Sequence, residues 1–125
     1  MKTTTSAGKI GEKYAADLLK RKGYKILFRN FRSKFGEIDI IAKDHSTGSG
    51  QATLVFIEVK TRWSKKFGQP EEAVTPTKLR HLEKAAQYFK LLHPNTPDLM
   101  RIDVVATEVE NGRVTQTRIL KNVTG

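Results

Sequence analysis

The chain has 125 residues and a formal net charge of +10 at pH 7, from 23 Lys and Arg against 13 Asp and Glu. It contains no cysteine, which excludes disulfides and thiolate-bound zinc and is compatible with the cytoplasm. No stretch reaches the roughly 20 apolar residues that span a bilayer, and the start of the chain lacks the apolar core of a signal peptide. We therefore expect one soluble, cytoplasmic domain over 1–125 whose positive charge attracts nucleic acid, without a membrane partner.

The first half of the chain predicts a helix followed by three strands. Residues 1–7 carry no periodic pattern and are expected to be frayed. Apolar residues at three- and four-residue spacing then predict an amphipathic helix that ends before Gly23, and apolar or alternating runs predict strands. These elements are a helix over 9–22 and strands over 24–32, 37–42 and 53–62. The small-residue segment 43–52 is predicted to be a flexible loop, and because it contains no helix, the strands that it joins should pair antiparallel.

The second half predicts a crossover helix and a hairpin. Thr-Pro at 75–76 is typical of a helix N-cap with proline at the first helical position, and His-Pro at 93–94 should end that helix. An apolar strand over 100–109 follows, and Asn-Gly at 111–112 predicts a tight turn into a last strand. The crossover should make strands 53–62 and 100–109 parallel. We predict an α/β fold with a small mixed sheet.

Charged residues interrupt two of the apolar strands. In "GEIDIIA" the carboxylates are Glu37 and Asp39, and in "LVFIEVKTR" Glu58 precedes Lys60 by two positions. Because alternate residues of a strand share a face, Glu37 and Asp39 should lie on the face opposite Ile38, and Glu58 should lie beside Lys60. Two ionised carboxylates held close together need a cation between them, and Mg²⁺ prefers a few carboxylates with water and phosphate oxygens.

Two interpretations of this pattern stay open. The acidic residues form either a metal site, with Lys60 acting on the attacking water or on the phosphate, or a structural ion-pair cluster, because Glu-x-Lys alone is frequent by chance. Glu12 lies at the margin of the apolar stripe of the first helix and is a third candidate carboxylate. Asp103 is expected to form a salt bridge with Arg101 or with another cation at the edge of the core rather than to join the site.

Asp39, followed 19 positions later by Glu58-Val59-Lys60, resembles the PD-(D/E)xK motif of the restriction-endonuclease-like superfamily, with Ile38 where that motif has proline. More closely, four segments resemble the YraN family of bacterial proteins: "GKIGEKYAADLLKRKGYKILFRNFRSKFGEIDIIA", "VFIEVKTR", "FGQPEEAVTPTKLRHLEKAAQYF" and "RIDVVA". The likeness runs from Gly8 to Ala106. That family is related by fold to Holliday-junction resolvases. The resemblance implies a restriction-endonuclease-like core: a helix, a three-strand meander, a crossover helix and two further strands in a mixed sheet.

The resemblance also implies roles for individual residues. Asp39 and Glu58 match the pair that binds Mg²⁺ or Mn²⁺, with the backbone carbonyl of Val59 as a further ligand. Glu12 resembles the helix-borne carboxylate of the resolvase-like sites, and Lys60 resembles the catalytic lysine. Glu37 matches the Gly-Glu-x-Asp pattern of the family, where it is expected to pair with Lys60 or with an arginine.

We therefore expect a metal-dependent endonuclease that hydrolyses phosphodiester bonds in DNA, with branched and damaged DNA among its candidate substrates. Two alternatives are a catalytically inactive adaptor that binds nucleic acid in DNA processing, and a nuclease directed at RNA. The expected contacts with the nucleic-acid backbone are Arg32, Lys34, Arg62, Lys65, Lys66 and Lys78. Phe28, Phe31 and Phe35, beside some of these cations, fit the core better than base stacking. Analogy with resolvases, which cut two strands symmetrically, implies a homodimer.

Overall fold

The computed structural model describes residues 6–45, 50–62 and 74–124. Its elements, in chain order, are α1 (Ser6–Arg21), β1 (Tyr24–Ser33), β2 (Gly36–Asp44), β3 (Thr53–Arg62), α2 (Pro76–Leu92), β4 (Met100–Glu110) and β5 (Arg113–Leu120). The strands form one sheet in the order β1-β2-β3-β4-β5. β3 and β4 are parallel, and the other neighbours are antiparallel. This order of elements and the mixed sheet confirm the α/β fold predicted from the sequence.

The two helices cover opposite faces of the sheet. On one face, α1 contributes Ala15 and Leu19 to a cluster that includes Val55 and Ile57 of β3. On the other face, α2 packs against the alternate residues of the same strand; this second cluster includes Leu54, Phe56, Leu82, Ala86 and Phe89. The alternation in β3 therefore places Glu58 and Lys60 on one face, as predicted, and this is the face covered by α2.

The ends of both helices follow from local sequence. Gly23, directly after α1, has a φ of +94°, a left-handed conformation that favours glycine at the end of a helix. At the start of α2, the hydroxyl of Thr75 accepts a hydrogen bond from the backbone N–H of Lys78 at 3.2 Å, and Pro76 occupies the first turn. Both the N-cap and the end of α2 before His93 were predicted. No helix in the described ranges is long and apolar enough to cross a membrane.

Two predicted boundaries were wrong. Part of the segment expected to be frayed, residues 6 and 7, belongs to α1. Lys43 and Asp44, assigned to the loop 43–52, continue β2 and pair with β3. Asp44 resembles a loop residue in the sequence, but it is buried because its carboxylate accepts a hydrogen bond from Arg101 Nη2 at 2.7 Å.

β2 does not keep the strict alternation that its sequence predicts. Ile40 packs on the α1 side, but Ile38, two residues earlier, packs on the α2 side with Ile41. The placement predicted for Ile38 was therefore wrong. The change falls at Asp39, opposite a stretch of β1 where Asn30 has a φ of +56°. A left-handed residue interrupts the extended backbone locally, so simple period-2 reasoning fails at this point.

A buried polar network joins distant parts of the chain on the α1 side. Arg101 donates hydrogen bonds to Asp103 Oδ1 at 2.8 Å, to Asp44 Oδ2 at 2.7 Å and to the Tyr24 hydroxyl at 3.0 Å. The predicted pairing of Arg101 with Asp103 is confirmed. Burial, reinforced by the charges of Asp103 and Asp44, raises the pKa of Tyr24 well above its usual value. Burial lowers the pKa of Arg101, but its hydrogen bonds to the two carboxylates outweigh that effect and raise it.

Candidate active site

The candidate site lies where β2 and β3 separate. Backbone pairing between these strands runs from Asp44 opposite Thr53 to Ile40 opposite Ile57. Beyond that pair, the side chain of Asp39 takes over the contact, and its Oδ2 accepts a hydrogen bond from the backbone N–H of Val59 at 2.8 Å. A charge-assisted hydrogen bond of this kind is stronger than one between neutral groups. It fixes Asp39 against the segment of β3 that carries Glu58 and Lys60.

An open cleft of about 610 Å³ begins at this point. Its lining brings together the three residues that the sequence motif singled out, Asp39, Glu58 and Lys60. The turn between β1 and β2 forms one wall, and the first turn of α2 contributes Lys78. The complete described lining is Arg32, Ser33, Gly36, Glu37, Asp39, Glu58, Lys60 and Lys78.

The charged side chains of the cleft lie at different depths, with the carboxylates below the cations. Asp39 and Glu58 are only 2% and 4% exposed, so their carboxylates lie at the bottom. Lys60 is partly exposed beside them, and Arg32 is exposed at the rim. Buried carboxylates require compensation by cations or hydrogen bonds, whereas exposed cations attract anionic ligands. The cleft is therefore suited to a ligand that brings both a bound cation and a negatively charged backbone.

Glu37 pairs with an arginine, one of the two partners that its position predicted. Its Oε2 lies 3.8 Å from Nε of Arg32, and both residues line the cleft. Arg32 is mostly exposed, so this ion pair contributes little to stability. Its effect is to hold a cation at the entrance of the cleft, close to the turn that Ser33 and Gly36 form.

The donor groups at the bottom of the cleft fit a small divalent cation. Mg²⁺ is usually held by one or two carboxylates together with water and substrate phosphates, and Asp39 and Glu58 supply two. In a strand, the N–H and the C=O of one residue point to the same edge. Because the N–H of Val59 points toward Asp39, its carbonyl points to that edge as well, as required of the predicted third ligand.

Glu12 is not among the described residues that line the cleft. It is 7% exposed on α1, the helix on the opposite face of the sheet, next to the point where Gly11 approaches Thr61. Within the described ranges, no three acidic or histidine side chains lie close enough together to hold a metal ion. The cleft thus brings Asp39 and Glu58 together, and the role of Glu12 stays a prediction.

The residues predicted to contact the nucleic-acid backbone divide into three groups. Arg32 and Lys78 line the cleft. Lys34 is exposed in the turn between β1 and β2, over the ring of Phe35, and Arg62 ends β3 two residues beyond Lys60. Lys65 and Lys66 lie outside the described residues.

Aromatic rings of β1 and of the turn that follows it contact aromatic rings of α2. The rings of Phe28 and Phe31 contact Phe89 of α2, with centroids 5.3 and 5.2 Å apart. Phe35 contacts Tyr88 of α2 at 5.9 Å. Phe31 and Phe35 are partly buried against the cluster under α2, as the core interpretation predicted, whereas Phe28 contacts the same helix but is 41% exposed. Ser33 and Gly36 were missed as lining residues; the signal was the Gly-Glu start of β2, which places the preceding turn beside the acidic pair.

The comparisons with known proteins show the family to which the chain belongs. Residues 11–107 match the model of the uncharacterised protein family UPF0102. The chain belongs to this family. A UPF0102 protein of Caldicellulosiruptor saccharolyticus is 46% identical over 116 residues, which cover 92% of this chain and 93% of the relative. A UPF0102 protein of Thermodesulfovibrio yellowstonii is 52% identical over 100 residues, or 79% of this chain and 82% of the relative. The family resemblance identified from the motifs is confirmed.

Proposed function

We propose that this UPF0102 protein is a metal-dependent nuclease that hydrolyses phosphodiester bonds in nucleic acid, with DNA as the expected substrate. The observation that supports it most directly is that Asp39, Glu58 and Lys60 line one open cleft. The sequence alone left a structural ion-pair cluster as an alternative. Side chains that serve only as internal ion pairs need no opening of about 610 Å³ above them.

In this proposal, Asp39, Glu58 and the carbonyl of Val59 hold Mg²⁺ or Mn²⁺. When bound, such an ion neutralises phosphate charge and lowers the pKa of a water ligand. Asp39 is held in place by the N–H of Val59, so the donor set is oriented before a ligand arrives. Lys60, beside Glu58 and partly exposed, contacts a phosphate oxygen and stabilises the negative charge that develops during hydrolysis.

The substrate is held through its backbone. Lys78 and Arg32 line the cleft on its two sides, and both are suited to phosphate oxygens. The net charge of +10 adds long-range attraction to a polyanion. Contacts with phosphates position a nucleic acid without reading its sequence. We therefore expect selection by the shape of the substrate rather than by its bases.

The decisive experiment compares Lys60→Ala with Lys20→Ala on labelled linear, single-stranded and four-way-junction DNA and on RNA, with Mg²⁺, Mn²⁺ or EDTA. Lys20 is an exposed lysine of α1, so it controls for the loss of one positive charge. We expect Lys60→Ala to lower the rate of metal-dependent cleavage by at least about 100-fold. Lys20→Ala should cleave like the unchanged protein. Lys60→Ala should keep most of the DNA binding, with a Kd raised by no more than about tenfold, because it removes one phosphate contact among many.

The alternatives give different results in the same experiment. Cleavage of RNA but not of DNA, lost in Lys60→Ala, would support the RNA-directed nuclease. Tight binding without cleavage under any of these conditions would contradict the proposal and favour the adaptor.

A further inference from the structure

The register of the sheet connects the cleft to the edge strand β5. Lys60 of β3 is paired with Ala106 of β4, and Ala106 is paired with Arg118 of β5. The three residues form one row across the sheet. Neighbouring strands lie about 4.8 Å apart, so the Cα atoms of Lys60 and Arg118 are separated by about 10 Å.

Arg118 lies on the same face of the sheet as the cleft. Directly paired residues of adjacent strands share a face, and Lys60 lines the cleft. The next residue of β5 provides a check: Ile119 is paired with Val105, and both belong to the apolar cluster under α1. Because alternate residues of a strand point to opposite faces, Arg118 points away from α1 and toward the side of the cleft.

The middle of this row is occupied by a small, buried residue. Ala106 is 4% exposed and has the smallest side chain of the three, whereas Arg118 is exposed on β5. The next row on the same face of the sheet pairs Arg62 of β3 with Glu108 of β4. Glu108 is a carboxylate, but it is buried at 4% exposure. Solvent therefore meets the arginine of the edge strand rather than this carboxylate.

We propose that Arg118 is a phosphate-binding residue that extends the cleft across β4 to the edge of the sheet. A nucleic-acid strand that has a phosphate at Lys60 passes over Ala106 and presents a second phosphate to Arg118. At about 3.4 Å of axis per phosphate in one strand, the separation of about 10 Å corresponds to a few nucleotides. The proposal rests on the proposed function because it requires nucleic acid in the cleft, but it does not require cleavage.

The test is a binding titration in EDTA, in which fluorescence anisotropy measures the Kd for a labelled single-stranded 20-mer at several salt concentrations. Arg118→Ala is compared with Arg21→Ala, which removes the same charge from an exposed position on the other face of the sheet. We expect Arg118→Ala to raise the Kd by about three- to tenfold and to reduce the slope of log Kd against log salt by about one. Arg118→Lys should restore most of the affinity, and Arg118→Glu should weaken binding further.

An Arg118→Ala protein that binds like Arg21→Ala, in affinity and in salt slope, would overturn the proposal, and so would undetectable binding by the unchanged protein. Thermal unfolding of each variant shows whether it is folded, and an unfolded Arg118→Ala leaves the decision to Arg118→Lys and Arg118→Glu. Cleavage plays no part in this titration. A protein that binds through Arg118 but never cleaves would refute the proposed function alone.

Discussion

The carboxylate of Asp39 lines the cleft and also accepts a backbone hydrogen bond from Val59 at 2.8 Å. The first property makes it a candidate metal ligand, and the second makes it part of the sheet. It is 2% exposed, so loss of the acceptor would leave a buried N–H without its partner. Its substitutions must therefore be chosen so that an effect on the fold is separated from an effect on the chemistry.

Asp39→Ala and Asp39→Asn separate the two effects. Alanine removes the acceptor for the N–H of Val59, and we expect the free energy of unfolding to fall by about 1–3 kcal/mol. Asparagine keeps a side-chain oxygen that accepts this hydrogen bond, so a larger share of the stability should remain, while metal-dependent cleavage should be lost. Urea denaturation gives the first quantity and the nuclease assay the second. Equal stability of the two variants would show that the hydrogen bond contributes nothing.

The sequence was sufficient to find Asp39, Glu58 and Lys60 because charged residues in apolar strands are conspicuous. It did not reveal that Asp39 bonds to the backbone of Val59. That contact depends on the separation of β2 from β3 and on the change of face at Asp39, opposite the stretch of β1 where Asn30 has a positive φ. A pattern of period two contains no sign of such a local departure.

Gly11 is the described glycine at which α1 lies against the side chains of the sheet. A Cβ atom at this position would overlap Oγ1 of Thr61 and come within 3.2 Å of Oγ1 of Thr107. The hydroxyl of Thr107 donates a hydrogen bond to that of Thr61 at 3.1 Å, so the two threonines hold each other in place. Because Gly11 has no side chain, α1 can lie directly on β3 and β4 at this position, one residue before Glu12.

Gly11→Ala should be destabilising even though alanine is the better helix former. The exchange would stabilise an unobstructed helix by about 1 kcal/mol, but the added methyl group must displace Thr61, and overpacking costs about 1–3 kcal/mol. Adding Thr61→Ala to Gly11→Ala should recover part of the lost stability, because it removes the Thr61 hydroxyl that the new methyl group would overlap. A double-mutant cycle measured by urea denaturation gives the coupling. A Gly11→Ala protein that is more stable than the unchanged one would contradict the contact.

The lengths and order of the elements were largely predictable because each is marked by its own residues. Gly23 ends α1, and Thr75 with Pro76 begins α2. The errors came where a tertiary contact overrode a local signal. Asp44 resembles a loop residue, but its hydrogen bond to Arg101, 57 positions away, allows it to remain in β2.

Across the whole molecule, the network around Arg101 joins segments that are far apart in the chain. Tyr24 begins β1, Asp44 ends β2, and Arg101 and Asp103 belong to β4. The backbone N–H of Asn122, after β5, donates to Asp103 Oδ1 at 2.9 Å. No short sequence motif indicates this network, because Tyr24 and Arg101 are 77 positions apart. It ties the start of β1 and the end of β2 to β4 and to the segment after β5, at the side of the sheet covered by α1.

The network predicts a loss of stability at alkaline pH. The pKa of Tyr24 is raised in the folded protein, so above the ordinary tyrosine pKa of about 10 the unfolded chain releases a proton that the folded chain retains. Stability from this group is complete below pH 10 and falls as the pH rises. We expect the stability advantage of the unchanged protein over Tyr24→Phe to shrink by about 1.4 kcal/mol between pH 9 and pH 11.

Urea denaturation of both proteins at each pH measures this difference, and the other titrating groups cancel because they are common to the two. An advantage that stays constant up to pH 11 would show that the Tyr24 hydroxyl is not held protonated by its surroundings.

The hydrogen bond between Asp39 and Val59 also bears on how this family changes during evolution. A lineage that lost its catalytic activity would still be under selection to keep a stable fold, and that selection acts on Asp39 through its place in the sheet. Retention of this aspartate in a relative is therefore poor evidence that the relative is an active enzyme. Lys60, which is partly exposed at the cleft, is the position whose loss should come first when activity is no longer selected.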